Sequence, residues 1–448
     1  MSANRVPRAP GRAADPRPSL ERETMRRVSR RILPFLILCY LGAFINRGNL
    51  GMAALQMNQD LGLSPAMFSL AGSLFFIAYF LFEVPSNLLM QRFGARRWLA
   101  RIMISWGLVA MGTAFVRDMG ALCAMRFLLG AAEAGFFPGV ILYLGNWFPA
   151  AYQARIIGMF MAAIPASAFL SSPLSALLLQ MDGAAGLRGW QWLFLAEGLL
   201  PLLLGCSCLF LLADSAQQAR WLPQDQRAWL AQRIARESRM RAGIRHESLA
   251  RLLREPRLWR LALICSAASA SGTVLNLWQP QILKSFGASV MQTGLLNAAP
   301  YAVATVVMVL WGRHSDRSLE RRWHTAIPLL LCGAGLCLSL LARAPGGIYA
   351  GLCMTLIGSY AFKGPFWAMT SGCLSGRAAA AGIAGVNAVS NLVGGGLILN
   401  LSGWLREQRG DGLALAPLAL LCGLGILALL SLRTGVAQPR PGPADEAL

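Results

Sequence analysis

Long apolar runs alternate along the chain with short polar loops that carry arginine, and within each run the apolar positions are continuous. The runs fall at 31–52, 66–90, 97–115, 120–147, 155–180, 190–212, 261–283, 290–312, 324–342, 347–373, 378–403 and 413–432. An α-helix needs roughly 20 residues to cross about 30 Å of hydrocarbon, which these runs supply. Strands of a membrane barrel would instead alternate over segments of about ten residues. The pattern predicts an all-α polytopic membrane protein with twelve transmembrane helices.

A polar stretch from Asp214 to Trp259 divides six runs from six. The expected organisation is a disordered tail over 1–30, a six-helix bundle over 31–212, a linker over 213–260, a second six-helix bundle over 261–433 and a tail over 434–448. Residues 1–30 are rich in Arg and Pro and lack the apolar core and cleavage site of a signal peptide.

Composition supports this class: 56% hydrophobic and 14% charged residues are far from a soluble globular domain. The net charge of +21 invites a nucleic-acid reading, but its distribution argues otherwise. Of the 41 Lys and Arg, 32 fall in the tails and loops on one side of the predicted helices, six fall in loops on the other, and three stand inside helices. That asymmetry predicts an inner-membrane protein with both termini cytoplasmic, whose macromolecular partner is the bilayer and not nucleic acid. All ten cysteines lie in apolar runs without metal-site spacing, and the histidines, His246, His314 and His324, lie in cytoplasmic loops. No metal, no cofactor and no enzymatic activity are expected.

The two halves share a loop pattern, NLLMQRFGARRW at 87–98 and GRHSDRSLERRW at 312–323. With six-plus-six organisation, this resembles the major facilitator superfamily. The resemblance implies a 6+6 pseudo-symmetric fold and a cytoplasmic gate made by Arg92, Arg96, Arg97, Asp316 and Arg317. Asn87 and Gln91 depart from the superfamily's usual Gly and Asp, and these arginines also serve the simpler purpose of setting topology. The segments YFLFEVPSNLLMQRFGARRW, RFLLGAAEAGFFPGVILYLGNWFP, GWQWLFLAEG, WQPQI, GPFWAM and AAAAGIAGVNAVSNLVGGG are further similar to the anion:cation symporter family. That likeness implies a monomeric secondary transporter importing a small organic carboxylate with H+ by alternating access. An exporter of drugs or metabolites is the alternative, and a non-transporting membrane enzyme or sensor is a more distant one.

The charges inside helices carry the chemistry. Arg126 and Glu133 are seven apart, about two turns and roughly 10.5 Å along one helix face. They read as a substrate cation and a proton-coupling acid, or as a pair that neutralises itself. Tyr40 and Arg47 share a face of the first helix at i, i+7, and a guanidinium can grip a carboxylate with two parallel hydrogen bonds. The family resemblance implies that Arg47 contacts the substrate anion, with Asn46 standing where relatives usually carry an aspartate. In the second half Lys363, one of two lysines in the chain, lies deep in AFKGPFW beside Pro365. Asn387 and Asn391, four apart, and Gln279 complete the expected substrate site, although such amides also serve as contacts between helices.

Overall fold

The computed structural model describes residues 18–242, 255–373 and 379–432. The predicted tails up to residue 17 and over 434–448, and the linker from 243 to 254, lie outside the described residues. The first half comprises α1 (Pro18–Asp60), α2 (Pro65–Phe93), α3 (Ala95–Gly112), α4 (Met119–Glu133), α5 (Phe136–Gly145), α6 (Ala150–Leu179) and α7 (Gly189–Leu211). An amphipathic α8 (Gln224–Ala242) follows. The second half comprises α9 (Pro256–Ser285), α10 (Val290–Ser318), α11 (Arg322–Leu341), α12 (Pro345–Ala361), α13 (Lys363–Cys373), α14 (Ala379–Asn391), a π-helical segment (Leu392–Ile398), α15 (Leu399–Arg409), the short α16 (Asp411–Ala414) and α17 (Ala416–Ser431).

Ten helices among the described residues are long and apolar enough to span a membrane, short of the twelve expected. The run 347–373 is divided into α12 and α13 at Phe362, because Pro365 has no N–H to offer the Ala361 carbonyl. The run 413–432 folds as the 16-residue α17. The predicted disordered tail also needs correction, since α1 is already helical from Pro18. Met25, Val28 and Ile32 form a buried stripe at helical spacing among the arginines, and α8 packs beside this extension. The run 120–147 breaks between α4 and α5, where Gly135 takes a φ of 84°. A Cβ there would meet the Ser86 hydroxyl at 2.5 Å, so both the turn and the close approach to α2 require glycine.

Helix ends follow their caps. Ser64 accepts from the Met67 N–H ahead of α2, Asp118 from the Ala121 N–H ahead of α4, and Ser289 exchanges bonds with Gln292 at the start of α10. Within the first half α3 packs along α7, α2 along α4 and α1 along α6. In the second half α11 packs along α12, and α9 along α14 and α17.

The halves meet where α1 touches α9, α2 touches α15 and α6 touches α10. These contacts cluster at the end of the molecule opposite the arginine-rich loops. Glu407 accepts from Ser64 Oγ at 2.7 Å and the Ala66 N–H at 3.0 Å. Asn297 donates to Ser172 Oγ at 2.8 Å, Arg406 lies 4.2 Å from the Trp278 ring centroid, and Trp278 meets Phe68 edge-on. At the centre of this seal, a Cβ on Gly51 would approach the Asn276 carbonyl oxygen to 2.5 Å. The structure is therefore closed at its arginine-poor end.

Gly51→Val should weaken that seal by about 1–3 kcal/mol, the usual cost of overpacking. Ser171 lies just inside it, beside Gly48 and Asn276. With the native cysteines replaced, a cysteine at Ser171 should react faster in the Gly51→Val background with an impermeant maleimide applied at the arginine-poor end. Unchanged labelling would show that the α1–α9 contact does not hold the seal.

Candidate functional site

The seal lies over a charge cluster built mainly from the first half. Glu133, the last residue of α4, is 1% exposed; its Oε1 accepts a hydrogen bond from Arg47 Nε at 2.6 Å and forms an ion pair with Nη2 of the same guanidinium, also at 2.6 Å. Arg47 comes from the middle of α1 and is ringed by Phe44, Phe75 and Tyr79, with centroids at 5.0, 5.5 and 5.1 Å. Arg126 sits 4.9 Å from the same Phe75 ring, is 3% exposed, and its Nε and Nη1 have no hydrogen-bond partner.

The tertiary pairing thus differs from the self-neutralising alternative read along one helix. Two turns of axial rise separate Arg126 from Glu133, while α1 delivers Arg47 to the carboxylate sideways. A buried guanidinium without a direct anionic partner is costly, and Arg126 has only the longer-range field of Glu133, whose hydrogen-bonding oxygen is taken by Arg47. Tyr40 joins the cluster through aromatic packing, with Phe44, Phe137 and Phe160 centroids within 5.6 Å. Its expected substrate contact would have to come past that nest.

From the second half, the Lys363 ammonium lies 4.6 Å from the Tyr360 ring centroid and is close enough to Arg47 for their charges to interact. Asn387 and Asn391 are half-buried, without side-chain hydrogen bonds among the described residues. Gln279 is wholly buried with both polar side-chain atoms unpartnered among the described residues, and it has no hydrogen bond to the arginines there. Asn46 faces away from the cluster: its amide donates to the Glu197 carbonyl and accepts from Trp106 Nε1, both at 3.2 Å. Its position therefore belongs to the packing of α1 against α3 and α7.

Several participants were not singled out from the sequence. Phe75 and Tyr79, four apart on α2, make the ring wall shared by the arginines; that spacing was a readable signal. Asn276 faces Gly48 across the halves, and Tyr301, packed on Tyr360, has a buried hydroxyl without a partner. Neither had a local signature.

The gate residues lie at the arginine-rich end. Arg92 and Arg97 are exposed, and the Arg96 N–H donates to Asp214 at 2.8 Å. Asp214 follows α7, supplying an acid to the loop where Gln91 does not. Asp316 pairs with Arg321 of its own loop at 2.7 Å, and Arg317 is exposed. Beside them His314 Nδ1 bonds His324 Nε2, and His324 Nδ1 bonds Glu320, each at 2.7 Å. His246 lies outside the described residues.

Two bundles of helices around a buried, cation-rich centre, closed at one end, define a membrane transporter and not an enzyme. Residues 36–398 match the model of the Major Facilitator Superfamily, and the chain belongs to that superfamily. It is 45% identical over 392 residues to a protein of Agrobacterium vitis described as a candidate tartrate transporter, covering 88% of this chain and 87% of the relative. It is 37% identical over 409 residues to a quinolone resistance transporter of Acinetobacter baumannii, covering 90% and 94%. A bacterial homolog of the human lysosomal transporter Spinster, solved in an inward-facing, occupied conformation, superposes with a TM-score of 0.69 at 17% identity, over 89% of this chain and 93% of that one. This last likeness concerns the fold.

Two outcomes follow from the charge placement. Arg47→Met or Glu133→Met alone strands a buried charge, at a cost of about 3–5 kcal/mol. The double variant removes the pair together, so it should melt above both singles; a double variant no better than the worse single would show that the two residues do not act as a pair. The second outcome concerns Glu320, outside the spans. Burial disfavours its ionised form, but hydrogen bonds from His324 and from the Trp323 and His324 N–H groups outweigh this and hold the carboxyl below the usual glutamate range. A depressed folded-state value gives stability that is complete above about pH 4.3, the ordinary glutamate value, and is lost as pH falls through the folded value. The wild type should therefore lose melting temperature relative to Glu320→Gln below about pH 4, and parallel pH curves would refute the assignment.

Proposed function

We propose that the protein imports a small organic carboxylate together with H+, as a monomer in the cell inner membrane with the arginine-rich end and both termini in the cytoplasm. The observation that carries this reading is Arg126, buried with two of its nitrogens lacking a hydrogen-bond partner among the described residues. With Arg47 and Lys363 it makes three cations against two carboxylates, Glu133 on Arg47 and Glu83 within reach of Arg47 and Tyr79, so the cluster keeps an excess of positive charge that fits an anion. The relative described as a candidate tartrate transporter supports the same class.

The Arg47–Glu133 pair offers a coupling device. While Glu133 is ionised it occupies the guanidinium of Arg47. Protonation of Glu133 releases that fork, and a substrate carboxylate takes the vacated hydrogen bonds, so proton and anion enter together. Arg126 holds the anion from the other face of the Phe75 wall, and Lys363, Asn387, Asn391 and Gln279 receive the rest of the substrate from the second half. Tyr40 backs Arg47. With the arginine-poor seal shut, the present state faces the cytoplasm, and Arg92, Arg96, Arg97, Asp316 and Arg317 close that side in the opposite state.

A second reading, drug export, is favoured by the quinolone resistance relative. Quinolones themselves carry a carboxylate, so the same arginines suit them and direction becomes the discriminating measurement.

Reconstituted vesicles separate the two. Bringing in each net charge against the potential costs about 2.3 kcal/mol per 100 mV, so a monoanion carried with one proton moves electroneutrally. Uptake of carboxylates should be driven by a proton gradient, abolished in Arg126→Lys, and uncoupled from pH in Glu133→Gln, which should retain substrate exchange. Near-normal uptake by Arg126→Lys, or proton-driven expulsion of a quinolone with no carboxylate uptake, would overturn the proposal.

A further inference from the structure

Outside the charge cluster, the arginine-rich end holds a cavity of about 680 Å³, lined by Glu23, Arg26, Arg27, Arg30, Arg31, Leu211 and Trp221. Four of its lining residues are arginines on consecutive turns of the α1 extension. Arg26 with Arg30 and Arg27 with Arg31 are both i,i+4 pairs, a spacing at which like charges destabilise a helix unless something lies between them. Compensation within the protein is partial. Arg27 bonds Glu23 at 3.2 Å and Gln226 at 3.3 Å, and Arg31 lies 5.3 Å from the Trp221 ring centroid. Arg26 and Arg30 have no ion-pair partner among the described residues. Trp221 is itself held by stacking on Trp147 at 5.7 Å.

Apart from Glu23, the rest of the lining is apolar: Trp221 and Leu211, the last residue of the membrane-spanning helix α7. Leu211 is 47% exposed, and Phe210 beside it in sequence, outside the cavity, is 85% exposed. Arginines and exposed apolar side chains together at the end of a spanning helix match an amphiphile with an anionic head. We infer that this cavity is a binding site for an anionic phospholipid, whose phosphodiester bridges Arg26 and Arg30 while an acyl chain lies along Phe210 and Leu211. This assignment does not depend on the transported substrate. Occupancy would steady the α1 extension against α8 and Trp221, and thus the base of the helix that carries Arg47.

The test uses full-length purified protein in neutral detergent, titrated with phosphatidylglycerol, phosphatidylcholine or inorganic phosphate, with retained lipid counted by native mass spectrometry and melting temperature measured in parallel. Phosphatidylglycerol should be retained and should raise the melting temperature more than phosphatidylcholine. In the double variant Arg26→Gln/Arg30→Gln its affinity should fall about 25-fold, from about five-fold per charge removed. Arg26→Lys/Arg30→Lys and the opposite-end Arg409→Gln should stay near wild type. Equal retention of the two lipids by the wild type overturns the site, and needs no variant to fold. Undiminished phosphatidylglycerol affinity in the glutamine variant overturns it as well, and stabilisation by inorganic phosphate alone would make this a free-anion site and overturn the lipid assignment.

Discussion

The arrangement turns on one imbalance, the bidentate approach of Arg47 to Glu133 beside an Arg126 with no such partner. Glu133 and Arg126 are buried and Arg47 is half-buried, and a buried charge is tolerated only when something compensates it. Glu133 accepts its hydrogen bond from Arg47, and both arginines lie against the Phe75 ring, which neutralises neither. In the proposed mechanism an anion bound there competes with Glu133 for Arg47, and a proton on Glu133 relieves that competition.

Helix interruptions place these groups. Gly135 ends α4 directly after Glu133, leaving the carboxylate on a helix terminus against α2 and not in mid-helix. The break at Phe362 similarly sets Lys363 at the start of α13, where its ammonium lies on the Tyr360 ring. Irregular backbone at membrane depth persists only where protein or a cavity satisfies it. Both breaks carry a charged residue within two positions, and the one at Gly135 is packed against Ser86 of α2.

The arginine-poor seal is built from different material. It relies on close backbone approach at Gly51, on Trp278 between Phe68 and Arg406, and on a few neutral or exposed hydrogen bonds. Such an interface gives up little when it separates, as a seal that must open demands.

Much was legible along the chain because the bilayer imposes a one-dimensional code. A helix must satisfy its own backbone, so apolar length marks a span, and arginine placement marks a side. The charged positions Arg47, Arg126, Glu133 and Lys363 stand out for the same reason, since each violates that code. Helix pairing along one strand of sequence was misleading, however. Spacing put Arg126 and Glu133 on one face, but axial rise kept them apart and another helix supplied the partner. Asn46, adjacent to Arg47 in sequence, points into packing against Trp106, and the buried stripe of Met25, Val28 and Ile32 was hidden among arginines on a helix that α8 touches. The sequence by itself determined which residues are out of place in a membrane; the tertiary structure alone decided which of them meet, because contacts between helices depend on rotation and depth that no local pattern encodes.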